Sequence, residues 1–329
     1  MKTAAAILFV AILAASTHLT AQATPNSTVP ANANQSAAQT AAVVQAPPTP
    51  LAYKTWPDVN LNVLVTGRHN APQKVGEHAF QLMEDGIERP LRSPVPADSP
   101  ISLALLIDFS SSTFEHTSEI FSAVKTIVRA LPADSEVTVV DFSFAGFLDI
   151  PFTPASKADL SVLDKLKPSG PTALYNALTA TETYVAAEAK YPRRAIVIFS
   201  DGEDNVSTAA ERGAALYKIQ QPGAPAVYSC FVAKIIWMPS RYGLVNLKRL
   251  AKEGGGLFFK FNTDVRVDPD SVAAAAVAAQ IAAAIDSQYV LQFTAADAAR
   301  NSKPHKLKLQ LAGKDLEAHT LSTYFAPPS

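Results

Sequence analysis

Two rhythms of apolar and polar positions divide the chain. In "DVNLNVLVTG" (residues 58–67) apolar and polar residues alternate, and in "HAFQLMEDGIERPL" (78–91) two short arms flank Asp85-Gly86, which predicts a β-hairpin. Alternation returns near the other end in "QYVLQFTAAD", "HKLKLQLAG" and "AHTLSTYFA", with polar turns between them. Neither flank holds enough strands for a stable sheet with a covered face, because an isolated hairpin is marginal in water. The pattern predicts that flanks 51–98 and 287–329 pair into one small β-sandwich-like domain, with residues 99–286 inserted between them.

The middle follows the second rhythm. "SLALLID" (102–108) is a continuous apolar run suited to a strand buried on both faces, and residues 113–131 place Ile120, Val124, Ile127, Val128 and Leu131 at helical spacing. Further strands are expected at "EVTVVDFS", "GFLDIPFT", "RAIVIFSD", "AVYSCFVAK" and "GLFFKF". Helices are expected over 174–189, after Ser207, near 244–252, and in an Ala-rich stretch at 271–285. Strands alternating with helices imply an α/β fold with a doubly wound, mostly parallel sheet. "EVTVVDFS" and "GFLDIPFT" lie too close for a helical crossover and should form an antiparallel edge hairpin.

Ligands of such sheets bind beyond the carboxyl ends of the strands, where the strand order reverses. The first strand of the middle ends at Asp108 and leads to Ser110 and Ser112; "RAIVIFSD" ends at Asp201; Thr172 lies between them in the Gly/Pro turn of "PSGPTALYNAL". Residues two apart in an extended loop point the same way, so Asp108, Ser110 and Ser112 can face one point. Two carboxylates and three hydroxyls, with no imidazole or thiol, suit Mg²⁺ or Mn²⁺ better than zinc. Helix capping by Ser or Asp would account for one hydroxyl at one helix, but not for polar groups on three loops. Glu203 and Asp204 read as solvated turn carboxylates.

D-x-S-x-S after a first strand, a threonine in a Gly/Pro turn and S-D-G after a later strand resemble the metal-ion-dependent adhesion site (MIDAS) of the von Willebrand factor A (VWFA) family. The resemblance covers about residues 99–285. The flanking "FQLMEDGIERPL", "SQYVLQFT" and "TYFAPP" resemble bacterial secreted VWFA-related proteins. It implies direct contact with the ion by Ser110, Ser112 and Thr172, and contact through water by Asp108 and Asp201. It also implies an adhesion module, not an enzyme, that binds an Asp or Glu of a protein partner. Ser111 and Pro171 stand where many members have glycine.

Charge and composition narrow the partners. The 329 residues carry a formal net charge of −1 and no block of Lys or Arg, which leaves no electrostatic footprint for nucleic acid. "MKTAAAILFVAILAASTHLTAQA" reads as a signal peptide over 1–23, which implies a secreted or periplasmic product, followed by a disordered linker over 24–50. No later stretch is long and apolar enough to span a bilayer. Cys230, the single cysteine, reads as a buried small hydrophobe. Two alternatives stand beside the binding module: a structural envelope protein with a vestigial site, and a hydrolase using a serine with His116 as base but no evident orienting acid. The segment "IIWMPSRYG" (235–243), with Trp237 and Tyr242, reads as a binding loop or as a cover for the sheet edge.

Overall fold

The computed structural model describes residues 58–92, 94–232, 241–261, 272–296 and 303–325. The expected signal peptide and linker, and Trp237, lie outside them. The first flank supplies β1 (Asp58–Thr66), β2 (Phe80–Glu84) and β3 (Ile87–Arg89). The α/β part begins with β4 (Ser102–Asp108), α1 (Thr117–Arg129), β5 (Glu136–Phe142), β6 (Gly146–Pro154) and α2 (Leu174–Glu188). It continues through β7 (Arg194–Ser200), α3 (Ala209–Lys218), β8 (Ala226–Phe231), α4 (Arg241–Glu253), β9 (Gly255–Lys260) and α5 (Val272–Asp286). The second flank supplies β10 (Gln288–Thr294), β11 (Pro304–Leu311), β12 (Glu317–His319) and β13 (Thr323–Phe325).

The central sheet has the order β6-β5-β4-β7-β8-β9. All of its pairings are parallel except β5 with β6, the expected edge hairpin. Every residue of β4 is buried, as a strand covered on both faces requires. Its side chains alternate between two cores: Leu103, Leu105 and Ile107 pack with Ile120 and Val124 of α1 and Ile281 of α5. Ala104 and Leu106 pack with Leu178 of α2, Leu216 of α3 and Leu250 of α4. Strand order runs one way from β4 to β5 and the other way from β7 to β9, so the crevice opens between the carboxyl ends of β4 and β7.

The flanks pair with each other. β1 lies antiparallel to β10 from Asp58 opposite Thr294 to Leu64 opposite Gln288, and β2 lies antiparallel to β11. Two sheets result, β10-β1-β12 and β13-β11-β2-β3, and Val63, Leu82, Leu291, Phe293 and Tyr324 form their common core. The β2–β3 turn places Asp85 and Gly86 at φ 48° and 85°, the left-handed pair of a type I′ hairpin.

Two local readings differ from the sequence pattern. The helix expected from 113 begins instead as a 3₁₀ turn, Ser111–His116, before α1. The tighter turn keeps the backbone close to the end of β4, where the Thr113 hydroxyl donates to the carbonyls of Asp108 (2.8 Å) and Ser110 (3.0 Å). Helix α4 starts at Arg241, inside the segment read as a loop. Cys230 is fully buried in β8, where burial raises its thiol pKa. No described helix is long and apolar enough to cross a membrane.

Candidate functional site

Asp108 ends β4 with 1% of its surface exposed, a costly place for a carboxylate unless it is hydrogen-bonded. Its Oδ1 accepts from the Ser110 N–H (2.9 Å) and its Oδ2 from the Ser200 hydroxyl (2.6 Å). Ser200 in turn accepts from the Gly202 N–H (2.9 Å), which ties the loop after β7 to the end of β4. Burial, and next the charge of Asp201, push the Asp108 carboxyl up to about 7. The same two causes raise Glu203. Asp201 is half-buried, and its Oδ1 accepts from the Glu203 N–H at 3.0 Å.

Ser110 occupies the cap position of the 3₁₀ turn, yet its side chain makes no capping bond. Its hydroxyl lies 3.1 Å from that of Ser112; the two meet although Ser112 belongs to the 3₁₀ turn and not to the extended loop that the spacing suggests. Ser112 is exposed and Ser110 buried, which gives the pair one wet and one dry side.

Thr172 is brought in by a second loop. The Ser111 N–H donates to the Gly170 carbonyl (3.2 Å) and the Ser169 N–H to that of Phe109 (2.8 Å). On its other side, the Thr172 N–H donates to Asn205 Oδ1 (2.9 Å), and the Thr172 carbonyl accepts from the Asn205 and Val206 N–H groups. Loops 109–112, 169–172 and 201–206 are thus stitched together by backbone bonds. Of the five predicted residues, Asp108 ends β4 and Ser110, Ser112, Thr172 and Asp201 stand on these loops, all at one end of the sheet.

Two readings from the sequence need correction. Asp204 is not a solvated turn residue: its side chain is fully buried, accepting from the N–H groups of Tyr175 (2.9 Å), Ser207 (2.7 Å) and Val206 (3.2 Å). It caps the start of α2 from another loop, where a negative charge is favourable. Nor does His116 lack an acid, since its Nδ1 lies 2.8 Å from Oε2 of Glu119, both residues being buried. The i,i+3 spacing carried that signal. Ser200 had none, as a serine before S-D-G reads only as the strand end.

Exposed apolar side chains gather around the same loops. Phe114 follows Ser112 in the 3₁₀ turn, and Phe144 lies in the β5–β6 turn, whose Ser143 carbonyl accepts from the Ala173 N–H at 2.8 Å. Val206 belongs to the Asp201 loop, while Tyr242 and Val245 open α4, held there by the bond from the Asn246 amide to the Gly202 carbonyl (3.0 Å). Beyond these five, only Ile87 and Tyr217 are exposed among the described large apolar residues.

No family model matches the chain, and no curated protein matches it. Among solved structures it is similar to the conserved hypothetical protein BatB from Bacteroides thetaiotaomicron, at 18% identity over 55% of this chain and 97% of that one, TM-score 0.41. It is similar to a von Willebrand factor type A protein from Catenulispora acidiphila, at 10% identity over 82% of this chain and 74% of that one, TM-score 0.47. A third likeness is to the SpRpn10 VWA domain, at 11% identity over 55% of this chain and 95% of that one, TM-score 0.42. Von Willebrand factor A domains are thus among its structural neighbours.

Proposed function

We propose that the chain is an exported protein-binding module whose contact surface is the crevice above β4 and β7. The observation that carries this reading is that Phe114, Phe144, Val206, Tyr242 and Val245, five of the seven exposed large apolar residues among those described, stand on or beside the loops that carry the polar residues. An exposed apolar rim costs solubility and gains free energy only when a partner covers it.

The polar centre fits a hard divalent cation. Its donors are oxygens, and burial, with the charge of Asp201 second, raises the Asp108 carboxyl. The Ser110 and Ser112 hydroxyl oxygens are 3.1 Å apart. Adjacent ligands on Mg²⁺, each 2.0–2.1 Å from the ion, stand about 3 Å apart. Ser110, Ser112 and Thr172 would hold the ion directly, with Asp108 and Asp201 acting through water. A bound Mg²⁺ or Mn²⁺ would supply one electrophilic position for a carboxylate oxygen of the partner. The chain's own part is orientation: Ser200 fixes the Asp108 carboxylate, the Asn205 pairing fixes Thr172, and the exposed apolar side chains would exclude water from the contact.

Calorimetry with Mg²⁺ alone tests the centre, and capture of a partner from the envelope fraction tests the surface. The exported chain, whose start near Thr24 mass spectrometry reads, should bind Mg²⁺, and Asp108→Ala should lose that binding with its circular dichroism unchanged. Phe144→Ser should keep Mg²⁺ binding and lose the partner by tenfold or more. Equal Mg²⁺ affinity in wild type and Asp108→Ala would remove the metal from the proposal.

A further inference from the structure

The central sheet ends in β9, which pairs with β8 on one side only. Among the described residues, no backbone group bonds to its other edge. Two clefts open along that edge. One, of about 580 Å³, lies between Leu257–Lys260, the loop at His69 and Asn70, and Ala279, Gln280 and Ala283 of α5. The other, of about 420 Å³, lies between Gly255–Phe258, Lys248 and Lys252 of α4, and the stretch from Glu317 to Thr320. Asn70, Leu257 and Phe258 line both, so the clefts are halves of one groove that follows the strand.

An edge strand in a groove presents N–H and C=O groups that another strand can pair with. Gly255 already lies against the backbone of Thr320 and Leu321, so the open stretch is Leu257 to Lys260, about 13 Å at the rise of a β-strand, room for about four residues of an extended peptide. Alternation on β9 fixes what such a peptide must carry. Leu257 and Phe259 face the core shared with α5, whereas Phe258 faces the core shared with α4. The new strand would therefore set alternate side chains against the small, exposed Ala279 and Ala283, and the others beside α4.

The second set would meet positive charge. Lys248, Lys252 and Lys260 border the groove and make no ion pair among the described residues; the Lys248 ammonium lies 5.4 Å from the centroid of the Phe258 ring. Among the described residues Glu317 is the only acid lining either cleft, and burial lowers the pKa of His319, which favours its neutral form. We infer that the free edge of β9 binds an extended peptide of alternating apolar and acidic residues as a seventh strand. This site is separate from the crevice above β4 and β7 and needs no metal.

The probe is a synthetic octapeptide of alternating valine and glutamate with blocked ends, titrated against the mature chain in EDTA. Hydrogen exchange should show alternate amides between Leu257 and Lys260, those that do not face β8, gaining protection. N-methylation of alternate peptide amides, in one of the two registers, should weaken binding by tenfold or more, and so should Lys248→Glu with Lys252→Glu. Several results would overturn the inference: no protection of β9 up to roughly the millimolar range typical of weak complexes, or equal binding of a valine–lysine peptide. A chain that dimerises as these amides become protected would assign the groove to a second copy. Loss of protection in the peptide-free mature chain on deleting residues 24–50 would assign it to the chain's own N-terminal segment.

Discussion

Gly202 shows how a single residue couples two loops. It sits at φ +78°, a left-handed conformation that disfavours any side chain, and an added Cβ would press into the backbone carbonyl of Gly243. Gly170 has a similar φ of +82°, but open space where its Cβ would go. The pair separates strain from collision. Gly170→Ala should cost about 1 kcal/mol, the left-handed penalty alone. Gly202→Ala should cost about 3 kcal/mol or more, because backbone must also move. At the proposed metal site it should weaken Mg²⁺ binding as well, since the start of α4 holds the Asp201 loop through Asn246 and Gly202. Urea unfolding and calorimetry on both variants check this, and equal losses would show that the Gly243 contact does not constrain the loop.

At the scale of the element, α2 carries an internal conflict that its sequence does not advertise. Glu182 lies on its buried face with 3% exposure, and its Oε2 has no hydrogen-bond partner. Burial pushes its carboxyl up to about 8, with Lys218 opposing the shift. In the unfolded chain the group titrates near 4.5, so the folded protein holds a proton that the unfolded one releases. Stability should therefore fall as pH rises from about 4.5 to about 8 and then level off. Glu182→Gln should flatten that decline and gain on the order of 2 kcal/mol above pH 8, while differing little near pH 4. Thermal melts at both pH values would show it. The helix itself was legible in its spacing, as were the strands, because burial on both faces demands the unbroken apolar run of "SLALLID". That Asp108, Ser110, Ser112, Thr172 and Asp201 stand at one end of the sheet follows from strand ends and loop order. The roles of Asp204 and Glu182 were not: a turn aspartate looks the same whether solvent or the N–H of Tyr175, 29 residues away, meets it. The rim was hidden for a related reason, since Phe114 and Phe144 in a sequence read simply as core.

For the whole molecule, the decisive contacts are those where the chain passes between its flanks and its middle. Arg193, fully buried just before β7, donates from Nε to the Gln288 carbonyl (2.9 Å), from one terminal nitrogen to Ile285 (2.7 Å) and from the other to Ser99. One guanidinium thus holds both crossings, the entry at Ser99 and the exit after α5. Burial draws its pKa down to about 10, so it remains charged at neutral pH. Gln288 extends the junction, donating to Asn62 Oδ1 in β1 (2.7 Å) and accepting from the Tyr228 hydroxyl in β8 (3.0 Å). No sequence pattern marks Arg193, because its three partners are more than 90 residues away. Arg193→Met should leave those carbonyls without their donor, at about 1–3 kcal/mol for each one that stays dry. Arg193→Lys keeps the charge but lacks the planar fork, so it should recover less than half of the loss. The flank sheets should also open earlier than β4 and β7 in hydrogen exchange, because the tie between them is cut. A lysine variant as stable as wild type, with flank and central amides still exchanging together, would show that charge alone holds the two parts.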